Sequence, residues 1–309
     1  MVRPYLNDLI LHCLFRLKGE RTVHSVYHLL SGKKSSQTIQ DCRIFDLAVY
    51  FCTLPLLERN VFNKAVSELE KDGIITLQDE KGNYLLHDKS VKILEEFHKG
   101  QKRLTHLNGY LYHRSAQIHW RRFALLFQVL SNSVHQNKKY YAVDRDMTVQ
   151  SWVKSWIGRN KHKLTAVTAS LHDELQQLLT LPEILDLQAE IFIRKCSGFH
   201  RVGYNNHQIK SQLELDETEV HYLFLDTLHF LFRSAFEEAD RYPVLSSIFT
   251  DERVTLTKSS AETWYYLKQG YSIEEIVRIR RLKKNTIEDH IVEIALQSPN
   301  FDVSPFLNN

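Results

Sequence analysis

Apolar positions follow the same pattern twice in the last third of the chain. The first copy begins at Gly203-Tyr204 and the second at Gly270-Tyr271, and the apolar residues that follow stand at the same offsets from the glycine. These residues are Ile209, Leu215, Val220, Phe224 and Leu228 in the first copy and Ile276, Leu282, Ile287, Ile291 and Ala295 in the second. Recurrence at fixed offsets is typical of a repeated supersecondary unit.

Each copy predicts a helix-turn-helix. The glycine can end a preceding helix, a short amphipathic helix follows, and apolar residues spaced by four then mark one face of a second helix. Polar pairs with the spacing of a capping box stand where helices are predicted to begin. These pairs are Ser272 with Glu275 and Asn285 with Glu288 in the second copy, and Asp216 with Glu219 in the first.

The first hundred residues predict helices followed by a β-hairpin. Helical periodicity covers residues 6–17, 23–30, 39–51 and 61–69. Two short apolar runs, residues 74–77 and 84–86, flank a polar turn and predict the two strands. This order is expected of a winged helix, whose recognition helix would span about residues 60–71.

The beginning of that predicted recognition helix carries polar and basic residues that form a possible second DNA or partner surface. They are Arg59, Asn60, Asn63 and Lys64. A protein-protein adaptor is the alternative, because Asp79 and Glu80 at the hairpin tip would repel phosphate.

Composition favours a mainly α protein of about two domains by length. The chain has 309 residues, of which 43% are hydrophobic, and only 10 Gly and 6 Pro, which favours long helices with short connections. The predicted parts are a winged-helix-like domain with a small β-hairpin (1–100), a helical middle (101–195) and two consecutive helix-turn-helix units (196–250 and 255–309).

Aromatic residues lie among basic ones in the helical middle, for example at Trp120-Arg121-Arg122, at Lys138-Lys139-Tyr140-Tyr141 and at residues 152–163. Such a surface can stack bases and follow phosphates. The favoured interpretation is structural, because tryptophans bury large areas and the stems of basic side chains pack beside them.

No pattern in the sequence indicates an enzyme active site or a bound cofactor. Ser31-Gly32-Lys33-Lys34-Ser35 superficially resembles a phosphate-binding loop, but Tyr27 stands where the first glycine is required, so Gly32 is interpreted as a helix cap. The spacing of His106, His113 and His119 does not suit a metal site. We expect a protein that is not an enzyme, with no cofactor, metal or small-molecule ligand.

Charge, cysteine content and the apolar run near the start indicate which partners and which cell compartment to expect. The net charge of +3 carries no argument for nucleic-acid binding, so any basic surface must be local. The four cysteines have no paired C-x-x-C spacing, which favours reduced thiols. The apolar run near the start is interrupted by His12 and Arg16 and lacks the length of a signal peptide or membrane span, so a cytoplasmic protein without membrane contact is expected.

The C-terminal helix-turn-helix carries the predicted DNA site. Its predicted phosphate contacts are Arg278, Arg280, Arg281, Lys283 and Lys284, and its predicted base-edge contacts are Asn285, Thr286 and His290. Three acidic residues of the same helix, Glu288, Asp289 and Glu293, oppose phosphate. The sequence therefore predicts weak or sequence-tolerant DNA binding, or a helix-turn-helix that docks a protein.

Residues 258–264, 270–276, 280–282 and 285–291 resemble the helix-turn-helix domain at the C-terminus of many RecQ-type DNA helicases. Residues 24–41 are similar to the bacterial YpbB family, whose members carry that domain on a separate polypeptide. The resemblance implies a partner of a short RecQ-type helicase that lacks its own C-terminal accessory domains, associated with the nucleoid through that helicase.

The leading hypothesis is a non-catalytic accessory subunit that binds a RecQ-type helicase and assists its engagement with DNA in repair or recombination. The first alternative is a transcription regulator, which needs sequence discrimination and usually a dimer. The second is a protein-only scaffold without affinity for nucleic acid.

Overall fold

The structure is a computed structural model that describes residues 3–249, 256–297, 301–302 and 304–306. Helices dominate these residues, as predicted, and the strands form a two-stranded antiparallel sheet. The helices are α1 Tyr5–Leu17, α2 Val23–Ser31, α3 Ser36–Ile44, α4 Arg59–Lys71, α5 Lys89–Gln101, α6 Gly109–Tyr112, α7 Ala116–Val134, α8 Met147–Asn160, α9 Leu164–Leu179, α10 Asp186–Lys195, α11 Asn206–Leu213, α12 Glu217–Glu237, α13 Pro243–Ile248, α14 Lys258–Lys268, α15 Ile273–Arg280 and α16 Lys284–Gln297. The strands are β1 Ile75–Leu77 and β2 Tyr84–Leu86, and short 3₁₀ turns cover Ala48–Tyr50, Lys161–Lys163 and Ser304–Phe306.

The N-terminal part has the predicted winged-helix order. Helix α4 precedes the hairpin, in which Thr76 of β1 stands opposite Leu85 of β2. Asp79 closes the turn between the strands, because its carboxylate accepts hydrogen bonds from the backbone N–H and the Nδ2 of Asn83 at 3.1 and 2.7 Å. The acidic hairpin tip therefore has a local structural role.

Helix α12 lies at the centre of the molecule. Its 21 residues are buried on nearly every side, and it contacts α1, α7, α10, α11 and α13. A helix that is apolar all round is stable only inside a core. The buried apolar side chains from Leu6 to Phe249 accordingly form one continuous cluster.

The last three helices have a separate small core. Ile276 of α15 packs against Ile287 and Ile291 of α16, and Tyr266 and Leu267 of α14 cover this cluster. Helix α16 also lies beside α3, with Cα atoms of the two helices within 8 Å of one another. The four domain boundaries drawn from the sequence stay predictions.

Two of the three predicted helix caps are confirmed. Ser272 accepts from the backbone N–H of Glu275 at 3.3 Å, and Glu275 accepts from the backbone N–H of Ser272 at 2.8 Å, which confirms the capping box. Asp216 caps α12 as predicted. The prediction of Asn285 as a cap is wrong, because α16 begins at Lys284 and Asn285 lies in its first turn.

The two Gly-Tyr pairs differ in structure. Gly270 follows the end of α14 with a φ of +83°, a left-handed conformation that favours glycine, as predicted for a helix stop. Gly203 lies well beyond the end of α10 at Lys195, so it does not end a helix, and that prediction is wrong. Gly203 is instead packed against backbone, since an added Cβ would stand 2.1 Å from the carbonyl oxygen of Lys195.

The described helices include none that is long and apolar enough to cross a lipid bilayer. The four cysteines are free thiols.

Candidate nucleic-acid interface

Three exposed cations lie at the end of α15 and in the turn that follows it. They are Arg278, Arg281 and Lys283. Within the described residues no carboxylate forms an ion pair with any of them; Arg278 donates only a long 3.4 Å bond to the carbonyl oxygen of Glu274. Arg281 adopts a left-handed φ of +52°, which ends α15 and makes the turn tight. The turn therefore presents concentrated positive charge to solvent.

Lys284 belongs to the same basic segment but has an acidic partner. Its Nζ lies 3.2 Å from Oε1 of Glu274, and both side chains are more than half exposed. Exposed ion pairs of this kind contribute only about 0–1 kcal/mol. A phosphate can therefore replace Glu274 as the partner of Lys284 at little cost.

Arg280 is placed differently from its neighbours, which corrects its assignment as a phosphate contact. Its side chain is only 7% exposed, and its guanidinium donates to the carbonyl oxygen of Ser259 at 2.7 Å and to Glu262 at 2.9 Å. It also donates to the hydroxyl of Thr263. Arg280 therefore ties α15 to α14 inside the domain, and its donors are not available to DNA.

His290 is also interior, so its assignment as a base-edge contact is wrong. It is 9% exposed, and its Nδ1 lies 2.8 Å from the hydroxyl of Thr263, which in turn accepts from Arg280. Burial, followed by the neighbouring charge of Arg280, lowers the pKa of His290. The side chain is a neutral element of a buried polar network that joins α14, α15 and α16.

The remaining polar residues of α16 fall into two groups. Asn285 is exposed and Thr286 is half-buried, so both stay accessible near the basic turn. Glu293 is buried and accepts from the backbone N–H of Thr257 at 2.6 Å, which removes it from the surface. Glu288 and Asp289 remain at or near the surface. Fewer carboxylates can therefore repel phosphate at the surface of α16 than the sequence indicates.

The neighbouring α3 limits how α16 can be approached. Because α3 lies beside α16, part of the length of α16 faces protein. The basic turn and the first turn of α16 are the parts of the unit that carry exposed cations and Asn285. The exposed positive charge of the unit is therefore concentrated at the turn.

The second predicted surface, at the start of α4, is partly confirmed in its geometry. Asn60, Asn63 and Lys64 are exposed. Arg59 is half-buried: its guanidinium lies 4.5 Å from the ring centre of Tyr27 and its Nη2 lies 2.5 Å from Nδ1 of His24. Arg59 therefore holds α4 against α2, and its placement on the exposed side of α4 is corrected.

Trp152 and Trp156 of the helical middle are structural, as the favoured interpretation predicts. Trp156 is 1% exposed, and its indole N–H donates to Ser247 at 3.1 Å. Trp152 packs beneath the guanidinium of Arg122, 5.2 Å from the ring centre. These aromatic faces are not free to stack on bases.

The two other motifs noticed in the sequence have local structural explanations. Gly32 ends α2 with a φ of +76°, as predicted, and an added Cβ would lie 2.2 Å from Sγ of Cys52. The histidines considered for a metal site separate in the fold, with His119 fully buried. In the part of the chain that the structure describes, no group of three or more His, Cys, Asp or Glu side chains is arranged to hold a metal ion.

Comparison with known proteins agrees with this geometry. Residues 259–309 match a family described as a helix-turn-helix domain, which indicates association with DNA. No solved structure matches the chain. Protein YpbB of Bacillus subtilis (strain 168) is 33% identical over 306 residues, which make up 98% of this chain and 86% of that protein. With this identity over nearly its whole length, the chain belongs to the YpbB family.

Proposed function

We propose that this protein is a non-catalytic accessory subunit that binds a RecQ-type DNA helicase and assists its engagement with DNA in repair or recombination. The observation that carries the DNA part is a set of three exposed cations at the turn of the C-terminal helix-turn-helix, Arg278, Arg281 and Lys283, none of which forms an ion pair within the described residues. Phosphate contacts of this kind position a protein on DNA without reading its sequence.

The partner part of the proposal is supported by the resemblance of the C-terminal helices to a domain of RecQ-type helicases. A domain that such helicases carry on their own chain would here be supplied by a second polypeptide. The exposed residues Asn60, Asn63 and Lys64 of α4 offer a further surface for the partner or for DNA, on a part of the molecule outside the C-terminal core.

Charge removal at the turn tests the DNA role. A triple variant, Arg278→Gln, Arg281→Asn and Lys283→Gln, uses Asn at the left-handed position because Asn tolerates that conformation. The slope of log affinity against log salt should fall by about 0.9 for each lost contact with duplex DNA, or about 3 in total. Fluorescence anisotropy with labelled duplex and forked DNA measures this slope.

The matched control removes the same charge elsewhere. Lys92, Lys99 and Lys102, which lie exposed on or just after α5, are replaced by Gln in a second triple variant. This variant should keep the wild-type slope. If both variants change the slope equally, net charge and not the turn governs binding, and the proposed DNA contact fails.

Affinity purification tests the partner. The tagged chain is recovered from its native cells after nuclease treatment, beside a version truncated after Phe249, and partners are identified by mass spectrometry. We expect a RecQ-type helicase in stoichiometric amount with the full chain. Its retention or loss on truncation assigns docking to the first 249 residues or to the C-terminal helices. Recovery without any helicase rejects the accessory-subunit proposal.

The exposed amide of Asn285 favours a transcription regulator as the second candidate, because an Asn side chain can bond an adenine edge in the major groove. A regulator should discriminate its operator from random DNA by about a thousandfold or more. Selection from a random duplex library measures this discrimination, and a selection that returns no consensus rejects the regulator. A chain with no affinity for any DNA at physiological salt would instead be a protein-only scaffold.

A further inference from the structure

A cavity of about 670 Å³ opens between the N-terminal part and the central helix. The segment that connects the 3₁₀ turn Ala48–Tyr50 to α4 forms one wall, α6 and α7 form another, and α11 and α12 form the floor. Its volume lies within the range of about 300–1,000 Å³ that is usual for small-molecule sites. No sequence pattern pointed to it, because its walls come from distant parts of the chain.

The walls of the cavity are mainly apolar and aromatic. Trp120 packs edge-on against Phe224 with ring centres 4.7 Å apart, and both line the cavity. At the mouth, Leu56 is 86% exposed. Large apolar side chains that face a solvent-open space provide the burial that binds a ring-shaped molecule.

Charged side chains are scarce in the lining of the cavity. Among the described residues that line it, Glu217 is the one Asp, Glu, Lys or Arg; its side chain is 49% exposed, and its carboxylate lies 3.5 Å from Nδ1 of His207 at the surface. Moving a charged group from water into such a space without an opposite charge is strongly unfavourable. The lining therefore selects an uncharged molecule, or the uncharged part of a larger one.

His229 supplies a hydrogen-bond donor to the cavity. The backbone N–H of Asn108 donates to its Nδ1 at 3.0 Å, and burial lowers the pKa of His229 to about 3, so the neutral ring carries its proton on Nε2. His229 is 2% exposed and lines the cavity, and no acceptor for Nε2 lies within hydrogen-bond distance among the described residues. The Nε2–H group is therefore a donor that a molecule in the cavity could use.

His113 supplies the opposite function. Its Nδ1 lies 2.7 Å from the carbonyl oxygen of Tyr110, which can only accept, so the proton is on Nδ1. Burial lowers the pKa of His113 and keeps the ring neutral, which leaves Nε2 as an acceptor. A second acceptor, Oδ1 of Asn206, also belongs to a lining residue and is buried without a partner among the described residues.

We propose that this cavity binds an uncharged, flat heteroaromatic small molecule that both donates and accepts hydrogen bonds. The aromatic walls would hold the ring, His229 would donate to it, and His113 or Asn206 would accept from it. Unmade bonds of buried polar groups are costly, so a ligand that completes them gains specificity over a purely apolar one.

Three ring compounds of nearly equal size test the hydrogen-bond pattern. Benzimidazole donates and accepts, indole only donates, and 1-methylbenzimidazole only accepts. In ligand-observed NMR titrations at pH 7.5 with the full chain, benzimidazole should bind about fivefold or more tightly than either of the others, the loss expected for one unmade buried bond. Equal binding of the three compounds, or no binding of any, overturns the proposal.

The location is tested in the unmodified chain and in a variant. In ¹H–¹⁵N spectra, benzimidazole should shift the indole N–H signal of Trp120 and leave that of Trp156, which bonds Ser247, unchanged. Ala116→Leu fills the cavity and should weaken binding about tenfold or more, whereas Ala169→Leu, on the exposed side of α9, should leave binding unchanged. A shift at Trp156 but not Trp120, or full binding to a folded Ala116→Leu chain, places the ligand elsewhere and overturns the proposal.

Discussion

The two copies of the repeated pattern have similar local structure and opposite surroundings. In each copy a short helix and a tight turn lead to a longer helix. Asn205 and Asp216 cap the two helices of the first copy, and Ser272 caps the first helix of the second. The second helix of the first copy, α12, is the central core helix, whereas that of the second copy, α16, belongs to a small domain with an exposed basic turn. The same spacing of apolar residues thus forms a central core helix in the first copy and a helix of a small domain with an exposed basic turn in the second.

The difference arises from what lies around each unit. Helix α12 carries apolar residues on all faces, and five other helices cover it. Helix α16 contributes Ile287 and Ile291 to a small core shared with α14 and α15, and α3 lies beside part of its length. The exposed residues of α16 lie near its start, beside the basic turn, which is where this unit can meet another molecule.

Truncation of equivalent core residues in the two copies should destabilise different parts of the molecule, and this is the largest difference that we expect between the copies. Phe224→Ala in α12 should destabilise the larger core, residues 3–249, by about 3–5 kcal/mol. Ile291→Ala in α16 should destabilise the C-terminal domain by about 2–5 kcal/mol. Hydrogen exchange followed by mass spectrometry should show faster exchange across residues 3–249 for the first variant and only across 256–297 for the second. Spreading of the Ile291→Ala effect into α12 would show that the two cores unfold together.

Arg280 and Arg278 lie on one helix but should behave differently. Arg280→Ala removes the buried guanidinium that bonds Ser259, Glu262 and Thr263, and should destabilise the C-terminal domain by about 2–4 kcal/mol. Arg278→Ala, the exposed control, should stay within about 0.5 kcal/mol. Exchange rates of α14–α16 amides measure both. Equal effects would contradict the interior placement of Arg280.

Lowering the pH should reduce the free energy of unfolding of the larger core, residues 3–249, because His229 is buried there. Because burial lowers its pKa in the folded state to about 3 from an ordinary 6.5, the unfolded chain binds a proton that the folded chain excludes as pH falls below about 6.5. Its contribution is fully present above that pH and decreases by about 1.4 kcal/mol per unit below it, or about 2 kcal/mol at pH 5.

Urea unfolding at pH 7.5 and pH 5 measures this loss. The His229→Asn variant, which keeps an acceptor for the N–H of Asn108, should lose about 2 kcal/mol less than the wild type on acidification. His162→Asn, at an exposed position of a 3₁₀ turn, is the matched control and should follow the wild type. An unchanged pH dependence in His229→Asn would mean that His229 does not couple folding to pH.

The caps should give the smallest and most similar effects. Asp216 caps α12 through the backbone N–H groups of Thr218 and Glu219, and Ser272 caps α15 through that of Glu275. Asp216→Ala and Ser272→Ala should each cost about 1 kcal/mol, since a cap acts on its own helix. Denaturant midpoints measure both, and a cost several times larger at Asp216 would show that the cap also supports the core.

Local structure could be predicted from the sequence because it depends on near neighbours. The helices of the N-terminal part, the β-hairpin, the caps at Ser272 and Asp216 and the glycine after α14 follow from periodicity and from hydrogen bonds between residues close in the chain. The error at Asn285 is a small shift of a helix start, whereas Gly203 serves close packing against the backbone of Lys195, which depends on tertiary contacts.

The availability of each charged or polar side chain was decided by tertiary structure. Arg280 and Arg281 are adjacent in sequence, yet one is enclosed by α14 and the other faces solvent, because α15 ends at Arg280 and the left-handed φ of Arg281 turns the chain away from the helix. Likewise, α12 became a core helix through contacts with near neighbours and with the distant α1 and α7, and the cavity acquired its walls from segments far apart in the chain. Periodicity identifies an apolar face; only packing determines what covers that face and which polar groups remain free.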